Sequence, residues 1–263
     1  MPHLTLRDGD QLYFETHGDG PPMALVSGLG GVMAFWQPHL AAFAGRHRVI
    51  LHDHRGTGQS TRSRIEYSVD QMADDLLQLL DHLGVEQVDL IGHSTGGAVG
   101  QTIALDHPKR LRKLVLSASW TSCDGYFGRL FDLRANMLRF EGSLAYARAT
   151  SIFGFPAAFL RDHAAMLGME EEGAAASMTP DIVLARIAAI QRFDRHDELT
   201  HILHPTLVFG ARDDLITPGY FSEELAHQIP DAQLVMLPEG GHFYPRVHPK
   251  VFQDTVLGFL AEP

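Results

Sequence analysis

The sequence predicts a fold of the α/β class, with a mostly parallel sheet covered by helices on both faces. Short apolar strands alternate with amphipathic helices along most of the 263 residues, and this pattern favours parallel strands that are buried on both sides. The alternation is interrupted once, by a long helical stretch rich in Ala, Arg and Phe. We therefore expect an α/β core formed by residues 1–120 and 197–263 and an inserted helical cap formed by residues 121–196.

The elements before the predicted cap follow from local patterns. HLTLRDGDQLYFETHG places DGD between two alternating apolar runs and predicts a β-hairpin. PPMALVSGLGG predicts a buried strand followed by a glycine-rich loop, and RVILHD predicts the next strand. Residues 68–83 have the spacing of an amphipathic helix, with Ser68 as its N-cap and Gly84 as its C-terminal stop. QVDLIG and LRKLVLSAS predict strands on either side of a helix that ends near Asp106.

The elements after Thr121 are helical first and alternating later. In the predicted cap, TPDIVLARIAAIQRFD indicates a helix with Thr179 as its cap and Pro180 at its first position. PTLVFGARDD then predicts a strand, GYFSEELAHQI a helix, AQLVMLP a strand, and HPKVFQDTVLGFLAE a closing helix. Because ligands bind at the carboxyl ends of strands in such sheets, the residues that follow each strand are the candidates for a site.

Composition excludes several classes of protein. The net charge of −11 argues against a nucleic-acid partner and disfavours an anionic membrane surface. The single cysteine, Cys123, allows no intrachain disulfide, and no zinc-type cysteine spacing exists. The first residues lack the apolar core of a signal sequence, and no apolar run is long enough to span a bilayer. The prediction is a cytoplasmic protein with a small-molecule partner, and a homodimer is left open.

The stretch LIGHSTGGAVG places Ser94 between Gly92 and Gly96, directly after a predicted strand. Either Ser94 is a nucleophile held on a sharp turn, or it is an ordinary loop serine beside glycines that end a strand. The small residues that follow favour the first interpretation, because they let a helix approach the sheet closely. The N-terminus of that helix would lie under Ser94, where its dipole favours a developing negative charge.

A serine hydroxyl is a weak nucleophile unless a base takes its proton, and the base needs a carboxylate to orient it. His242 in EGGH is the candidate base, and Asp214 in GARDDLITP is the candidate carboxylate. We favour Asp214 over Asp213 because the spacing Asp-x-x-x-Pro, which ends at Pro218, selects it. The alternative is that one of the two aspartates caps the helix that begins near Pro218.

The motifs SGLGG, HDHRGTGQS, GHSTGG, DDLITP and EGGH occur in an order that resembles the α/β-hydrolase-fold serine hydrolases over nearly the whole chain. Within that family the sequence looks most like the group of aminoacrylate hydrolases of pyrimidine breakdown and 3-oxoadipate enol-lactonases. The resemblance implies an oxyanion hole made by the backbone N–H groups of Leu29 and Thr95. Family members commonly have His-Gly where this chain has Ser27-Gly28, so the resemblance implies nothing that depends on a histidine ring there.

The predicted function is hydrolysis of a small carboxylic ester or lactone through an acyl-enzyme on Ser94, with no metal or organic cofactor. Three alternatives remain: hydrolysis of an enamine or amide-type metabolite, another chemistry on the same residues (a perhydrolase or carbon–carbon hydrolase), and a ligand receptor with slow turnover. The fold cannot choose among them, because the chemistry is set by the site.

Several further residues are candidates for the substrate pocket, although each could equally pack in the core. They are Trp36, His93, Trp120, Phe127 and Phe131. Arg129, Arg134 and Arg139 could bind a substrate carboxylate, while a solvated helix face is the alternative for at least two of them. His52 and His54 flank Asp53, but no further ligand with metal-site spacing accompanies them, so no metal site is predicted.

Overall fold

The computed structural model describes residues 2–262 and contains one eight-stranded sheet. The strand order is β1-β2-β4-β3-β5-β6-β7-β8. The strands in chain order are β1 His3–Thr5, β2 Gln11–His17, β3 Pro22–Val26, β4 Arg48–His52, β5 Val88–His93, β6 Leu111–Ser117, β7 Thr206–Ala211 and β8 Gln233–Leu237. β1 and β2 form the predicted hairpin, β2 pairs antiparallel with β4, and all other pairings are parallel. The predicted mostly parallel sheet is confirmed.

Eleven α-helices lie within the described residues. They are α1 Gln37–Ala44, α2 Val69–His82, α3 Thr95–Asp106, α4 Gly125–Phe140, α5 Ser143–Gly154, α6 Ala157–Asp162, α7 Ala164–Ser177, α8 Pro180–Arg192, α9 Gly219–Gln228, α10 Tyr244–Val247 and α11 Pro249–Ala261. Two separate apolar clusters form the core. One contains side chains of α2 and α3, and the other contains side chains of α1 and α11. The central strands β5 and β7 are buried along their whole length, as expected for strands covered on both faces.

The sequence predictions for both ends of α2 are confirmed. The Ser68 hydroxyl accepts a hydrogen bond from the backbone N–H of Gln71 at 2.9 Å, which is the geometry of an N-cap. Gly84 follows the helix with φ +65°, a left-handed conformation that glycine adopts without strain. Thr179 is the N-cap residue of α8 and Pro180 its first residue, as predicted, but Thr179 caps through its backbone carbonyl and its side chain makes no capping hydrogen bond.

Helices α4 to α8 lie between β6 and β7, where the sequence predicted the cap. We call residues 121–196 the insertion. Its side chains Phe127, Leu130 and Ile187 are buried in the same apolar cluster as α2 and α3, so the insertion packs directly on the sheet layer. The division of the chain into two domains stays a prediction.

No single helix within residues 2–262 has the length and apolar character needed to cross a membrane. The pair α7 and α8 meets those criteria by length and composition alone, and it is bent by 98°.

Candidate active site

The three residues predicted to carry the chemistry lie at one edge of the sheet. Ser94 follows β5, Asp214 follows β7, and the loop that contains His242 follows β8. Because these strands are parallel, their carboxyl ends meet at the same edge. Ser94 and His242 both line a cavity of about 640 Å³, which core loops and the insertion enclose together.

Ser94 occupies a strained turn between β5 and α3. Its φ of 55° and ψ of −116° are sparsely populated for a residue with a side chain, a strain that costs about 1–3 kcal/mol and is found at functional sites. A Cβ on Gly92 would collide with the carbonyl of Gly96, and a Cβ on Gly96 would collide with the carbonyl of Val26. Both glycines are therefore needed for the chain to turn this tightly against β3.

Asp214 holds the ring of His242. The Nδ1–H of His242 donates to Oδ2 of Asp214 at 2.8 Å, and both side chains are buried. The backbone N–H groups of Ile216 and Thr217 donate to Oδ1 of Asp214 at 2.7 and 2.9 Å, and the Thr217 hydroxyl donates to Oδ2. A carboxylate that accepts these bonds is fixed in place. The proton on Nδ1 leaves Nε2 of His242 free to act as a base.

The side chain of Asp213 contacts the backbone of the same loop, just before His242. Its two carboxylate oxygens accept from the N–H groups of Gly240 and Gly241 at 3.1 and 2.9 Å. Asp213 therefore fixes the two residues that precede His242. Neither aspartate caps α9, whose N-cap residue is Pro218.

The two residues assigned to the oxyanion hole, Leu29 and Thr95, lie in two segments next to Ser94. Leu29 lies in the glycine-rich loop after β3 and lines the cavity, and the neighbouring Gly28 lies so close that a Cβ there would be 3.1 Å from the Cβ of Ser94. Thr95 is the first residue of α3, and an amide at that position has no acceptor within the helix. Ser27, which replaces the family's histidine, donates from its hydroxyl to the carbonyl of Val32 at 2.9 Å.

The structure corrects three of the five pocket candidates. His93 and Phe131 line the cavity. Trp36, Trp120 and Phe127 are fully buried and do not belong to its lining among the described residues. Trp36 packs against Phe35 and His39 in one core cluster, and Trp120 stacks on Phe127 in the other. Sequence alone could not separate these cases, because an aromatic residue after a strand can point to either layer.

His93 is held as a neutral ring. Its ring stacks on Phe35 with centroids 4.6 Å apart, and its Nδ1 lies 3.0 Å from the hydroxyl of Ser117. Burial holds the pKa of His93 well below its usual range, and the nearby His242 and His39 rings lower it further. A ring with so low a pKa beside Ser94 is a weak base and does not compete with His242 for a proton.

Arg134 is the one member of the arginine trio that lines the cavity. Its guanidinium donates to the hydroxyls of Tyr146 and Thr150 at 3.2 and 3.0 Å and lies over the rings of Phe131 and Tyr146. Its Nε is buried without a hydrogen-bond partner within the described residues. Arg129 and Arg139 are exposed, as the solvated-face alternative predicted. Arg134 therefore supplies a buried cation at the wall of the cavity.

Phe243, Arg246 and Glu170 are among the cavity residues that were missed from sequence. Phe243 and Arg246 follow His242 closely, and Glu170 lies in α7 of the insertion. The Arg246 guanidinium donates to both carboxylate oxygens of Glu170 at 2.9 Å, which joins the insertion to the core across the cavity. The nearness of Phe243 and Arg246 to the candidate base was a usable signal, whereas nothing local marks Glu170.

His52 and His54 stack on each other with centroids 5.0 Å apart. Burial lowers the pKa of His52 to about 4 and places that of His54 well below its usual range. Within residues 2–262 no three His, Cys, Asp or Glu side chains are arranged to hold a metal ion.

Comparison with known proteins gives a consistent result. The family model described as the alpha/beta hydrolase fold matches residues 21–249. A protein of Azorhizobium caulinodans that carries the provisional name carbamate hydrolase RutD is 39% identical over 263 residues, covering 100% of this chain and 99% of that protein. A Variovorax paradoxus protein with the same name is 41% identical over 256 residues, covering 95% of this chain and 96% of that protein. Among solved structures, the enol-lactonase of Burkholderia xenovorans has a TM-score of 0.92 at 27% identity, covering 99% of this chain and 100% of that chain.

Proposed function

The chain belongs to the alpha/beta hydrolase family and is a hydrolase, and from that membership we propose that it cleaves small carboxylate-bearing esters or lactones through an acyl-enzyme on Ser94. One observation carries the proposal. The buried pair of His242 and Asp214 lies at the cavity that Ser94, on its strained turn, also lines. This combination is the arrangement needed to activate a hydroxyl.

The proposed reaction begins when Ser94 Oγ attacks the carbonyl carbon and His242 Nε2 takes its proton. The tetrahedral intermediate places a negative oxygen between the amides of Leu29 and Thr95. His242, now charged and held by Asp214, returns the proton to the leaving alkoxide as the bond to it breaks. Water then attacks the acyl carbon while His242 Nε2 takes its proton, and His242 gives that proton to Ser94 Oγ as the bond between Ser94 and the acyl group breaks, which releases the carboxylic acid and regenerates Ser94.

Arg134 supports a substrate that carries a carboxylate. A buried guanidinium with an unpartnered Nε is a costly feature unless an anion arrives to bind it. A carboxylate accepts from the N–H groups at the edge of a guanidinium in a charge-assisted pair. The polar residues Thr150 and Glu170 line the same cavity, and Phe131 and Phe243 supply apolar surface for a short carbon chain.

A second candidate function is cleavage of the carbon–nitrogen bond of a carbamate. The name of the relatives that are 39% and 41% identical supports it, because those matches cover nearly the whole chain. The same residues would serve: Ser94 would attack the carbamate carbonyl, and His242 would protonate the departing amine. The two candidates differ in the leaving group and share the nucleophile.

A substrate panel with the parent enzyme and Ser94→Ala tests the proposal. The panel compares p-nitrophenyl acetate, a monomethyl dicarboxylate ester, lactones, enol-lactones and N-alkyl carbamates by kcat/KM. We expect the carboxylate-bearing esters or lactones to be the best substrates and Ser94→Ala to be inactive on all of them. A clear preference for carbamates would favour the second candidate. A Ser94→Ala enzyme as active as the parent would refute both.

A further inference from the structure

Arg186 of α8 reaches from the insertion into the core beside the candidate oxyanion loop. Its side chain is almost fully buried, with a relative exposure of 1%. Its Nε donates to the carbonyl oxygen of Leu29 at 3.1 Å, and its Nη1 donates to the carbonyl of Arg55 at 3.4 Å. Its Nη2 donates to Nδ1 of His54 at 2.9 Å. One guanidinium thus joins the loop after β3, the loop after β4 and the insertion.

The charge of Arg186 has no acidic partner. Its hydrogen bonds go to two backbone carbonyls and a neutral imidazole, and none of the ion pairs within residues 2–262 includes it. Burial lowers the pKa of Arg186 to about 10, so the side chain keeps its charge near neutral pH. Burying an unpaired charge is costly, so its position calls for a role beyond packing.

The glycine-rich loop around Leu29, which Arg186 contacts, accepts hydrogen bonds from other segments of the chain. Gly28, Gly30 and Gly31 surround Leu29, and three glycines give the backbone little stiffness of its own. The carbonyl of Gly28 accepts from the backbone N–H of Gly31 within the loop at 2.9 Å, and the carbonyl of Gly31 accepts from the N–H of His54 at 2.7 Å and the hydroxyl of Thr57 at 2.9 Å. The carbonyl of Leu29 accepts its hydrogen bond from Arg186, which comes from the insertion. The backbone of the residue assigned as an oxyanion donor is therefore fixed through α8.

We propose that Arg186 is a positioning residue that couples helix α8 to the oxyanion hole. It fixes the backbone at Leu29 through the hydrogen bond to that carbonyl, and its guanidinium lies over the ring of Tyr67, 6.0 Å from the centroid. This inference rests on the proposed function, because it takes Leu29 as a donor and Ser94 as the nucleophile. A donor that is oriented before charge develops needs no reorganisation during the reaction, which is the basis of oxyanion stabilisation.

The oxyanion hole is complete only while α8 packs against the core, because the contact to Leu29 is made by a side chain of that helix. The oxyanion hole is therefore assembled when the insertion packs over the cavity. The insertion would then support catalysis through the backbone at Leu29 as well as enclose the substrate.

The chain supplies a matched control for this role. Arg192 also lies on α8 and donates to a core carbonyl, that of Tyr67, at 2.8 Å, but it does not contact the oxyanion loop. The experiment compares Arg186→Gln, Arg186→Lys and Arg192→Gln with the parent enzyme. It measures kcat and KM for p-nitrophenyl acetate and the inhibition constant of a small boronic acid, whose tetrahedral adduct on Ser94 mimics the transition state.

We expect Arg186→Gln to lower kcat about 100-fold with little change in KM, since small misplacements of catalytic groups have effects of that size. Boronate affinity should fall in parallel. Arg186→Lys retains a cation at the same place, so it should fold even if the glutamine variant does not, and its kcat should lie between the two. Arg192→Gln should keep the parent's kcat and boronate affinity.

The proposal is overturned if a folded Arg186 variant, lysine or glutamine, has the kcat and boronate affinity of Arg192→Gln. A loss confined to KM would also overturn it, because substrate binding would then be what Arg186 serves. Ser94→Ala in the same assay keeps this result separate from the proposed function. If Ser94→Ala is inactive while the Arg186 variants are normal, only the role of Arg186 fails; if Ser94→Ala is active, the proposed function fails.

Discussion

Asp213 and Asp214 are neighbours in the chain and hold the same histidine loop by different routes. Asp214 accepts from the ring of His242, while Asp213 accepts from the backbone of Gly240 and Gly241 just before it. One carboxylate therefore orients the ring of His242, the candidate base, and the other fixes the path of the chain that carries it.

This division of roles predicts unequal effects of two matched substitutions. Asp214→Asn should lower kcat by about 10⁴-fold, because the amide favours the wrong tautomer of His242, as the equivalent change does in serine proteases. Asp213→Asn should have a much smaller effect, since it retains one acceptor for the loop. Steady-state kinetics on p-nitrophenyl acetate would check both. Equal losses, or a larger loss in Asp213→Asn, would contradict the assignment.

Arg134→Gln should lower kcat/KM about 10- to 100-fold for a substrate with a carboxylate, the loss expected for one charge-assisted hydrogen bond. Activity on a neutral ester of the same size should change little, because the catalytic residues remain. Arg139→Gln, on the exposed face of the same helix α4, is the control. If Arg134→Gln affected both substrates equally, binding of a carboxylate at this residue would be wrong.

Replacing glycine by alanine should have opposite effects on stability at the turn that holds Ser94 and at an ordinary helix position. Gly96→Ala should lower the free energy of unfolding by several kcal/mol or abolish folding, because the new Cβ meets the backbone carbonyl of Val26 rather than a movable side chain. Gly168→Ala, within α7 with open space around its Cα, should be stabilising by about 0.4–1 kcal/mol. Urea denaturation measures both. A stable Gly96→Ala protein would mean that the turn is looser than described.

Acid should destabilise the fold through its buried histidines, of which His39 is the clearest case. Burial lowers the pKa of His39 from 6.5 to about 4. Between these two values the unfolded chain binds a proton that the folded chain does not, so stability falls as pH falls from about 6.5 to about 4. The full contribution of this one ring is about 3 kcal/mol.

Urea denaturation at pH 7.5 and pH 5 would test the role of His39. His39→Gln should reduce the loss of stability between the two pH values, whereas His201→Gln, at an exposed position, should not. The same pH dependence in His39→Gln as in the parent would show that other groups cause the acid sensitivity.

Much of the fold followed from the sequence because its signals are local. Alternating apolar strands, the N-cap at Ser68 and the helix stop at Gly84 depend on residues within one or two turns of each other. Ser94, Asp214 and His242 could be proposed for the same reason, since each follows a recognisable strand and parallel strands end at one edge. The structure brings these loops together but leaves their catalytic roles as predictions.

The side chains that link distant segments could not be predicted. Arg186 contacts Leu29, 157 positions away in the chain, and Arg246 contacts Glu170, 76 positions away. Neither pair has a periodic or spaced pattern. The predictions for the aromatic pocket residues were partly wrong for a related reason. Nothing in the sequence distinguishes Trp36, which is buried in the core, from Phe131, which lines the cavity, because the packing of the layers decides where each side chain lies.

The central claim is that Ser94 is the covalent nucleophile. Intact-protein mass spectrometry after treatment with a fluorophosphonate probe tests it most directly, with peptide mapping of the modified site. The account predicts a single adduct per chain, located on Ser94, absent from Ser94→Ala and strongly slowed in a His242→Gln variant that remains folded. An adduct on another residue, or no adduct on protein that actively hydrolyses its substrate, would contradict the account.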